Sequence, residues 1–125
     1  MTLTLREVVE ILDCEVITGD GLIDEISVER GCAADLMSDV LAFSSSGSLL
    51  ITGLINAQAV RTALIAEVEA IVFVRGKRPD QAAIELAKEN GIPLFCTKLF
   101  MYDACGLLHS RKLKGLPEEK VNYGQ

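Results

Sequence analysis

Residues 70–79 read Ala70-Ile-Val-Phe-Val74 and then Arg75-Gly76-Lys77-Arg78-Pro79, an apolar run that ends in a basic loop. Two further apolar runs flank it in the chain, Ser48-Leu-Leu-Ile-Thr52 and Ile92-Pro-Leu-Phe-Cys96. Strands that are apolar throughout are buried on both faces, which is typical of parallel sheets. The sequence therefore predicts an α/β fold, a small layered domain with a mainly parallel sheet flanked by helices.

Helix signals lie between these strands, where a parallel sheet needs its crossover connections. Residues 57–66 have helical composition. Pro79 is predicted at the first position of a helix that continues from Gln81 to Asn90, with Gly91 as its C-terminal cap. A last helix is predicted after the third strand from a face of apolar residues. They are Phe100, Met101, Ala104, Leu107 and Leu108.

The first third of the chain has a less regular pattern. Thr4-Leu-Arg-Glu7 is a capping box, which predicts a helix that ends near Asp13. Residues 14–17 and 25–29 are predicted as short strands, and this region is expected to form a separate, partly antiparallel corner. Residues 33–39 are predicted as a short helix that ends before Val40-Leu-Ala-Phe43.

Length and composition limit the class of protein. The chain has 125 residues, half of them hydrophobic, which is enough for one domain with its own core. We expect that domain over residues 1–112 and a polar C-terminal tail over residues 113–125. No apolar run approaches the ~18 residues that span a bilayer, and no signal peptide is recognised. We therefore expect a cytoplasmic location and no membrane association.

The net charge of −6 is unevenly distributed along the chain. Residues 1–70 contain twelve acidic and three basic residues, a net charge of −9, whereas residues 71–125 contain six acidic and nine basic residues, a net charge of +3. An acidic chain is poorly suited to binding nucleic acid, because contacts with the phosphate backbone need a basic face. The basic half is still suited to one small anion, and the two halves could also attract each other across a subunit interface.

Polar and basic residues follow the three predicted strands at their carboxyl ends, where open parallel sheets bind ligands. Each of these ends precedes a predicted helix, and helix N-termini attract anions. The pattern predicts a site for a small anion, with phosphate or a nucleotide as the natural ligand. The candidate ligand-binding residues are Thr52, Gly53, Arg75, Gly76, Lys77, Arg78, Thr97 and Lys98.

Two alternatives remain open for these loops. Arg75, Lys77 and Arg78 could instead form a solvated loop that pairs with acidic residues of the other half. Ser44-Ser-Ser-Gly-Ser48 has the composition of a phosphate-binding loop. It precedes a strand, however, and is expected at the opposite edge of the sheet, as a polar turn, unless residues 40–43 are themselves a strand.

The cysteines give little support to metal or redox chemistry. Cys14, Cys32, Cys96 and Cys105 form no CxxC pair, so no metal and no other cofactor is predicted. Cys105 and His109 are four residues apart on one predicted helix face. This pair is the one candidate for an activated thiolate, and a surface histidine beside a structural thiol is the other interpretation. We predict a protein that is not an enzyme.

The stretch from Leu49 to Leu108 resembles the DRTGG domain family. The matching features are the apolar runs and the basic loop quoted above, together with Ala87-Lys-Glu-Asn-Gly-Ile-Pro93. Residues 5–43 are similar to the opening of that family and of Mur ligase N-terminal domains. The resemblance implies a fold akin to the N-terminal domain of HPr kinase/phosphorylase. Leu54 and Ile55 stand where the family name has Asp-Arg.

Two functions follow as expectations from this resemblance. Such domains serve as regulatory or assembly modules and tend to self-associate. The first expectation is therefore a non-catalytic regulatory module that forms a homodimer. With the basic loop, this module is expected to sense a small anionic or nucleotide ligand. Stand-alone copies resemble those encoded beside iron-only hydrogenase genes. The alternative is therefore an accessory or assembly subunit of a redox complex, without a ligand of its own, that docks through apolar residues such as Leu54 and Ile55.

Overall fold

The computed structural model describes residues 2–117. These residues form seven strands, five α-helices and one 3₁₀ turn at Asp20–Leu22. The strands are β1 (Leu3–Thr4), β2 (Glu15–Thr18), β3 (Ser27–Val28), β4 (Arg30–Ala33), β5 (Ser48–Thr52), β6 (Ala70–Phe73) and β7 (Leu94–Cys96). The helices are α1 (Leu5–Leu12), α2 (Met37–Phe43), α3 (Ala57–Ile65), α4 (Gln81–Asn90) and α5 (Met101–Ser110).

The main sheet has five strands in the order β2-β7-β6-β5-β4. β4, β5, β6 and β7 are parallel, and β2 pairs with β7 in the antiparallel direction. In the centre of the register, Val72 of β6 lies between Ile51 of β5 and Phe95 of β7. Every residue of β5, β6 and β7 is buried. The predicted α/β fold with a mainly parallel sheet is therefore confirmed.

Helices cover both faces of this sheet, so the core has two halves. On one face α1 packs against α5, and on the other α3 packs against α2 and α4. Successive residues of β6 alternate between the halves: Val72 belongs to the α1 side, and Ile71 and Phe73 belong to the other. This double coverage explains why the central strands are apolar at every position.

The N-terminal region follows the predicted pattern in part. Thr4 caps α1, and the capping box is complete: Glu7 N–H donates to Thr4 Oγ1 at 3.1 Å, and Thr4 N–H donates to Glu7 Oε1 at 3.0 Å. β3, which lies within the predicted strand 25–29, forms a separate antiparallel pair with β1, a strand that the sequence did not predict, so the predicted corner is confirmed only in part. β2 does not belong to that corner, because it joins the main sheet beside β7.

Several predicted boundaries are wrong. Val40–Phe43 is not extended and belongs to α2, which begins at Met37 rather than at residue 33. The edge strand β4 was not predicted, since Arg30 and Gly31 interrupt any apolar run. Pro79 precedes the cap of α4 instead of occupying its first turn, because Asp80 is the N-cap, while Gly91 caps the C-terminus as predicted, with a φ of 70°.

The chain after α5 returns to the sheet. Leu113 is only 4% exposed and packs in the core on the α1 side. Gly31 N–H donates to the Lys114 carbonyl at 2.7 Å, so this segment lies along the outer edge of β4. The expected polar tail thus begins with packed residues, and its part from residue 118 onwards lies outside the described residues. No helix among residues 2–117 combines the length and apolar character needed to cross a membrane.

Candidate functional site

The carboxyl ends of the four parallel strands meet at one edge of the sheet, which we call the carboxyl edge. Val74 N–H donates to the Thr52 carbonyl at 3.1 Å, and Thr97 N–H donates to the Phe73 carbonyl at 2.9 Å. Gly53, Arg75 and Lys98 therefore follow neighbouring strands at the same edge. This is the edge at which open parallel sheets bind ligands.

A tight turn carries the basic loop at this edge. Arg75 and Gly76 both have a left-handed backbone, with φ of 64° and 68°, and Lys77 N–H donates to the Val74 carbonyl at 3.3 Å. Arg75 N–H donates to the Leu99 carbonyl at 2.8 Å, and Gly76 N–H donates to the Thr97 carbonyl at 2.9 Å. The backbone N–H groups of the turn are used within the protein, so the side chains are what the turn offers to a ligand.

The side chain of Arg75 extends over the end of β5. A Cβ atom added to Gly53 would lie 2.9 Å from Arg75 Nη2 and 3.5 Å from Arg75 Nε. Glycine at position 53 therefore leaves the space that the guanidinium occupies. Arg75 takes part in no ion pair among residues 2–117, where the two pairs are Arg6 with Asp24 and Arg78 with Glu15.

Asp35 completes this cluster. It lies just beyond β4, and its Oδ1 accepts hydrogen bonds from Gly53 N–H at 2.7 Å and from the Thr52 hydroxyl at 3.1 Å. Oδ1 also lies 3.5 Å from the position of the added Gly53 Cβ. Thr52, Gly53, Arg75 and Asp35 are thus brought together, and we call them the Arg75 cluster. Sequence reasoning missed Asp35, because no strand was predicted before it.

The other candidate residues lie at the same edge, outside the Arg75 cluster. Arg78 donates to Glu15 of β2 at 2.6 Å, as the solvated-loop alternative predicts for this residue. Thr97 is 2% exposed, and its hydroxyl donates to the Leu12 carbonyl at 2.8 Å. Lys98 is exposed and borders a cleft beside Asp13 at the end of α1. Lys77 is exposed in the turn.

The alternative phosphate loop lies on the other side of the molecule. Residues 44–47 connect α2 to the amino end of β5, which is opposite the carboxyl edge. Glu29 N–H donates to the Gly47 carbonyl at 3.0 Å, and the hydroxyls of Ser45 and Ser48 lie 3.4 Å apart. The loop is a polar turn, and it is hydrogen-bonded to Glu29, which precedes β4 in the same chain.

Leu54 and Ile55 do not form an exposed patch. Both are partly buried and pack against the core on the α3 side. The Ile55 carbonyl also accepts a hydrogen bond from Asp80 N–H at 2.9 Å. The expectation that these two residues are exposed is therefore wrong, because they pack where the chain passes from β5 to α3.

The cysteines are free thiols whose acidity is suppressed. Burial raises the pKa of Cys14 to about 12 and that of Cys96 to about 11. Burial also raises the pKa of Cys32 and Cys105. Activation of Cys105 by His109 would require the opposite shift. No group of three or more possible metal ligands comes together within the described part of the chain.

Comparison with known proteins gives a family and a fold. The sequence profile of the DRTGG domain matches residues 7–110. The structure is similar to the crystal structure of the CBS and DRTGG domains of the regulatory region of Clostridium perfringens pyrophosphatase in complex with its activator, diadenosine tetraphosphate. The TM-score is 0.66 at 23% identity, and the match covers 94% of this chain and 49% of that one. The comparison with curated proteins finds no match.

Proposed function

The chain belongs to the DRTGG domain family, and from that premise we propose that it is a non-catalytic regulatory module that senses a small anionic ligand, with a nucleotide as the preferred class. The similar pyrophosphatase region is regulatory and is complexed with a nucleotide activator. That region also contains CBS domains, and this chain spans about half of its length. The proposal therefore rests first on the carboxyl edge of this chain.

The observation that carries the proposal is the conformation of Arg75. A left-handed backbone costs a residue with a side chain about 1 to 2 kcal/mol relative to glycine. Arg75 adopts it at a φ of 64° and has no carboxylate partner among residues 2–117. Asp13, Glu67 and Lys112 share this conformation, so what distinguishes Arg75 is that its guanidinium also lies over Gly53 at the carboxyl edge. An anionic ligand would supply the missing partner.

The surroundings of Arg75 support an anion. Lys77 and Lys98 are exposed and lie at the same edge, so they add positive charge to the approach of a ligand. Gly76 and Thr97 hold the turn in place through one backbone hydrogen bond. Arg78 anchors the loop to β2 through Glu15. We propose that Thr52 and Gly53 form the floor of the site beneath Arg75.

We further propose that the ligand acts on an interface formed by α5. Arg75 N–H is bonded to the Leu99 carbonyl, and Leu99 leads directly into α5. Phe100 and Leu107 are seven residues apart, which places them on one side of the helix, and they expose 66% and 41% of their surface. We call these two residues the α5 face. A ligand that orders the Arg75 turn would shift the population of states in which this face binds a partner.

The partner that we propose for the α5 face is a second copy of this chain. A homodimer suits a regulatory module, because one surface then serves both subunits. Association with a redox enzyme of the iron-only hydrogenase type stays a prediction. A cytoplasmic location is also proposed, since the four thiols are free and suit a reducing compartment.

Titration calorimetry tests the ligand. The panel is inorganic phosphate, AMP, ATP and diadenosine tetraphosphate, against the wild-type chain, Arg75→Ala and the control Arg61→Ala, an exposed arginine of α3. We expect at least one nucleotide to bind, with a tenfold or greater loss in Arg75→Ala and no loss in Arg61→Ala. No heat with any compound, or equal affinity in Arg75→Ala, would overturn the proposal.

A further inference from the structure

Asp35 holds a negative charge beside Arg75 without neutralising it. Its Oδ1 accepts from Gly53 N–H and from the Thr52 hydroxyl. These two bonds fix the carboxylate to the end of β5. The carboxylate is therefore held in position rather than free to turn towards the guanidinium.

The two charged groups nevertheless lie close together over buried Gly53. Arg75 Nη2 and Asp35 Oδ1 lie 2.9 Å and 3.5 Å from the position that a Gly53 Cβ would occupy. Neither group forms an ion pair among residues 2–117. The second carboxylate oxygen, Oδ2, accepts no hydrogen bond from those residues. Both side chains are exposed, so one small molecule can reach both.

A ligand that contacts both side chains should therefore offer two kinds of group. It needs an anionic group for Arg75 and a hydrogen-bond donor for Asp35, because a carboxylate only accepts. A bare anion satisfies Arg75 but meets the charge of Asp35, which repels it. A nucleoside phosphate with a free ribose hydroxyl satisfies both.

We propose that Asp35 is the specificity-determining residue of the Arg75 cluster and selects nucleoside phosphates with free ribose hydroxyls over bare inorganic anions. This inference rests on the proposed function, since it assumes that an anion binds to Arg75. It extends that function by naming the part of the ligand that is recognised and the residue that recognises it. A hydrogen bond with one charged partner contributes more to binding than one between neutral groups, so an analogue that lacks the ribose hydroxyls should bind more weakly.

The test compares three probes: AMP, 2′,3′-dideoxyadenosine monophosphate and inorganic phosphate. Calorimetry is performed on the wild-type chain, on Asp35→Asn and on the control Asp39→Asn, an exposed carboxylate in the first turn of α2. Asparagine retains an acceptor for Gly53 N–H and removes the charge. We expect the wild-type chain to prefer AMP over the dideoxy analogue by tenfold or more.

In Asp35→Asn this preference should fall below threefold, and the affinity for inorganic phosphate should be equal or higher. Asp39→Asn should behave as the wild-type chain does. An AMP preference that is the same in Asp35→Asn and in the wild type would overturn the inference while leaving anion binding at Arg75 intact. Absence of binding by all three probes would overturn the inference, whereas binding that Arg75→Ala does not weaken would overturn the proposed function.

Discussion

The guanidinium of Arg75 lies where a side chain on Gly53 would stand, with Nη2 2.9 Å from the position of that missing Cβ. Gly53 has an ordinary backbone conformation, so alanine is tolerated there by the backbone itself. The contact falls on the far end of a flexible side chain, which can move aside. The glycine is therefore needed for the position of Arg75 rather than for the turn.

Gly53→Ala separates these two roles. We expect the free energy of unfolding to stay equal or to rise by up to about 1 kcal/mol, because alanine restricts the unfolded chain. The affinity for the nucleotide that the wild-type chain binds most tightly should fall about tenfold, since the guanidinium is displaced. Urea denaturation and calorimetry measure the two quantities. An unchanged affinity would show that the placement of Arg75 over Gly53 is irrelevant to binding.

The C-terminal boundary of the domain is tested at Leu113. Its side chain packs 3.4 Å from the position of a Gly31 Cβ and is almost fully buried. Leu113→Ala should lower the free energy of unfolding by about 2 to 5 kcal/mol, as for other buried leucines. Leu116→Ala, at a half-buried position, is the matched control and should cost less than half as much. Equal, small losses of the free energy of unfolding in both variants would support the predicted boundary at residue 112.

The thiols make stability depend on alkaline pH. An unfolded cysteine ionises near pH 8.5, whereas the folded pKa values of Cys14 and Cys96 are about 12 and about 11. Between these limits the unfolded chain binds fewer protons, so the free energy of unfolding should fall as the pH rises above about 8.5. Denaturation from pH 7 to 10 measures this fall, and Cys14→Ala should reduce it. Rapid alkylation of Cys14 in the folded chain at pH 8 would contradict the raised pKa.

Dimerisation through the α5 face is tested at Leu107. Leu107→Glu places a charge on that face and should convert the proposed dimer into a monomer. Ile65→Glu, at an exposed apolar residue on the opposite layer, is the control and should leave the dimer intact. Sedimentation equilibrium gives the molecular mass. A monomeric wild-type chain, or a dimer in Leu107→Glu, would exclude this interface.

The central part of the fold could be predicted because burial dictates composition there. β5, β6 and β7 are covered on both faces, so their sequences are apolar throughout and stand out. The C-terminal end of α4 at Asn90 agrees with the prediction, because Gly91 supplies a conformation that few residues adopt easily. The edge strand β4 carries no such signal, since Arg30 and Gly31 are only half-buried.

For the candidate site, the sequence predicts the edge of the sheet at which it lies but not the contacts between its residues. Strand ends and basic residues can be read from the sequence, and the structure places Gly53 and Arg75 together. Partners far apart in the chain cannot be read in that way. Asp35 reaches Gly53 only because β4 pairs with β5, and Arg78 reaches Glu15 only because β2 crosses to the far side of β7.

The central claim is that Arg75 retains a strained backbone for the sake of binding an anion, and Arg75→Gly tests it most directly. Glycine adopts a φ of 64° without strain, so folding and binding should respond in opposite directions. We predict a free energy of unfolding that is unchanged or higher by up to about 1 kcal/mol. The Kd for the nucleotide of the panel that binds the wild-type chain most tightly should be at least tenfold higher. A variant that binds the nucleotide as tightly as the wild-type chain would contradict the account.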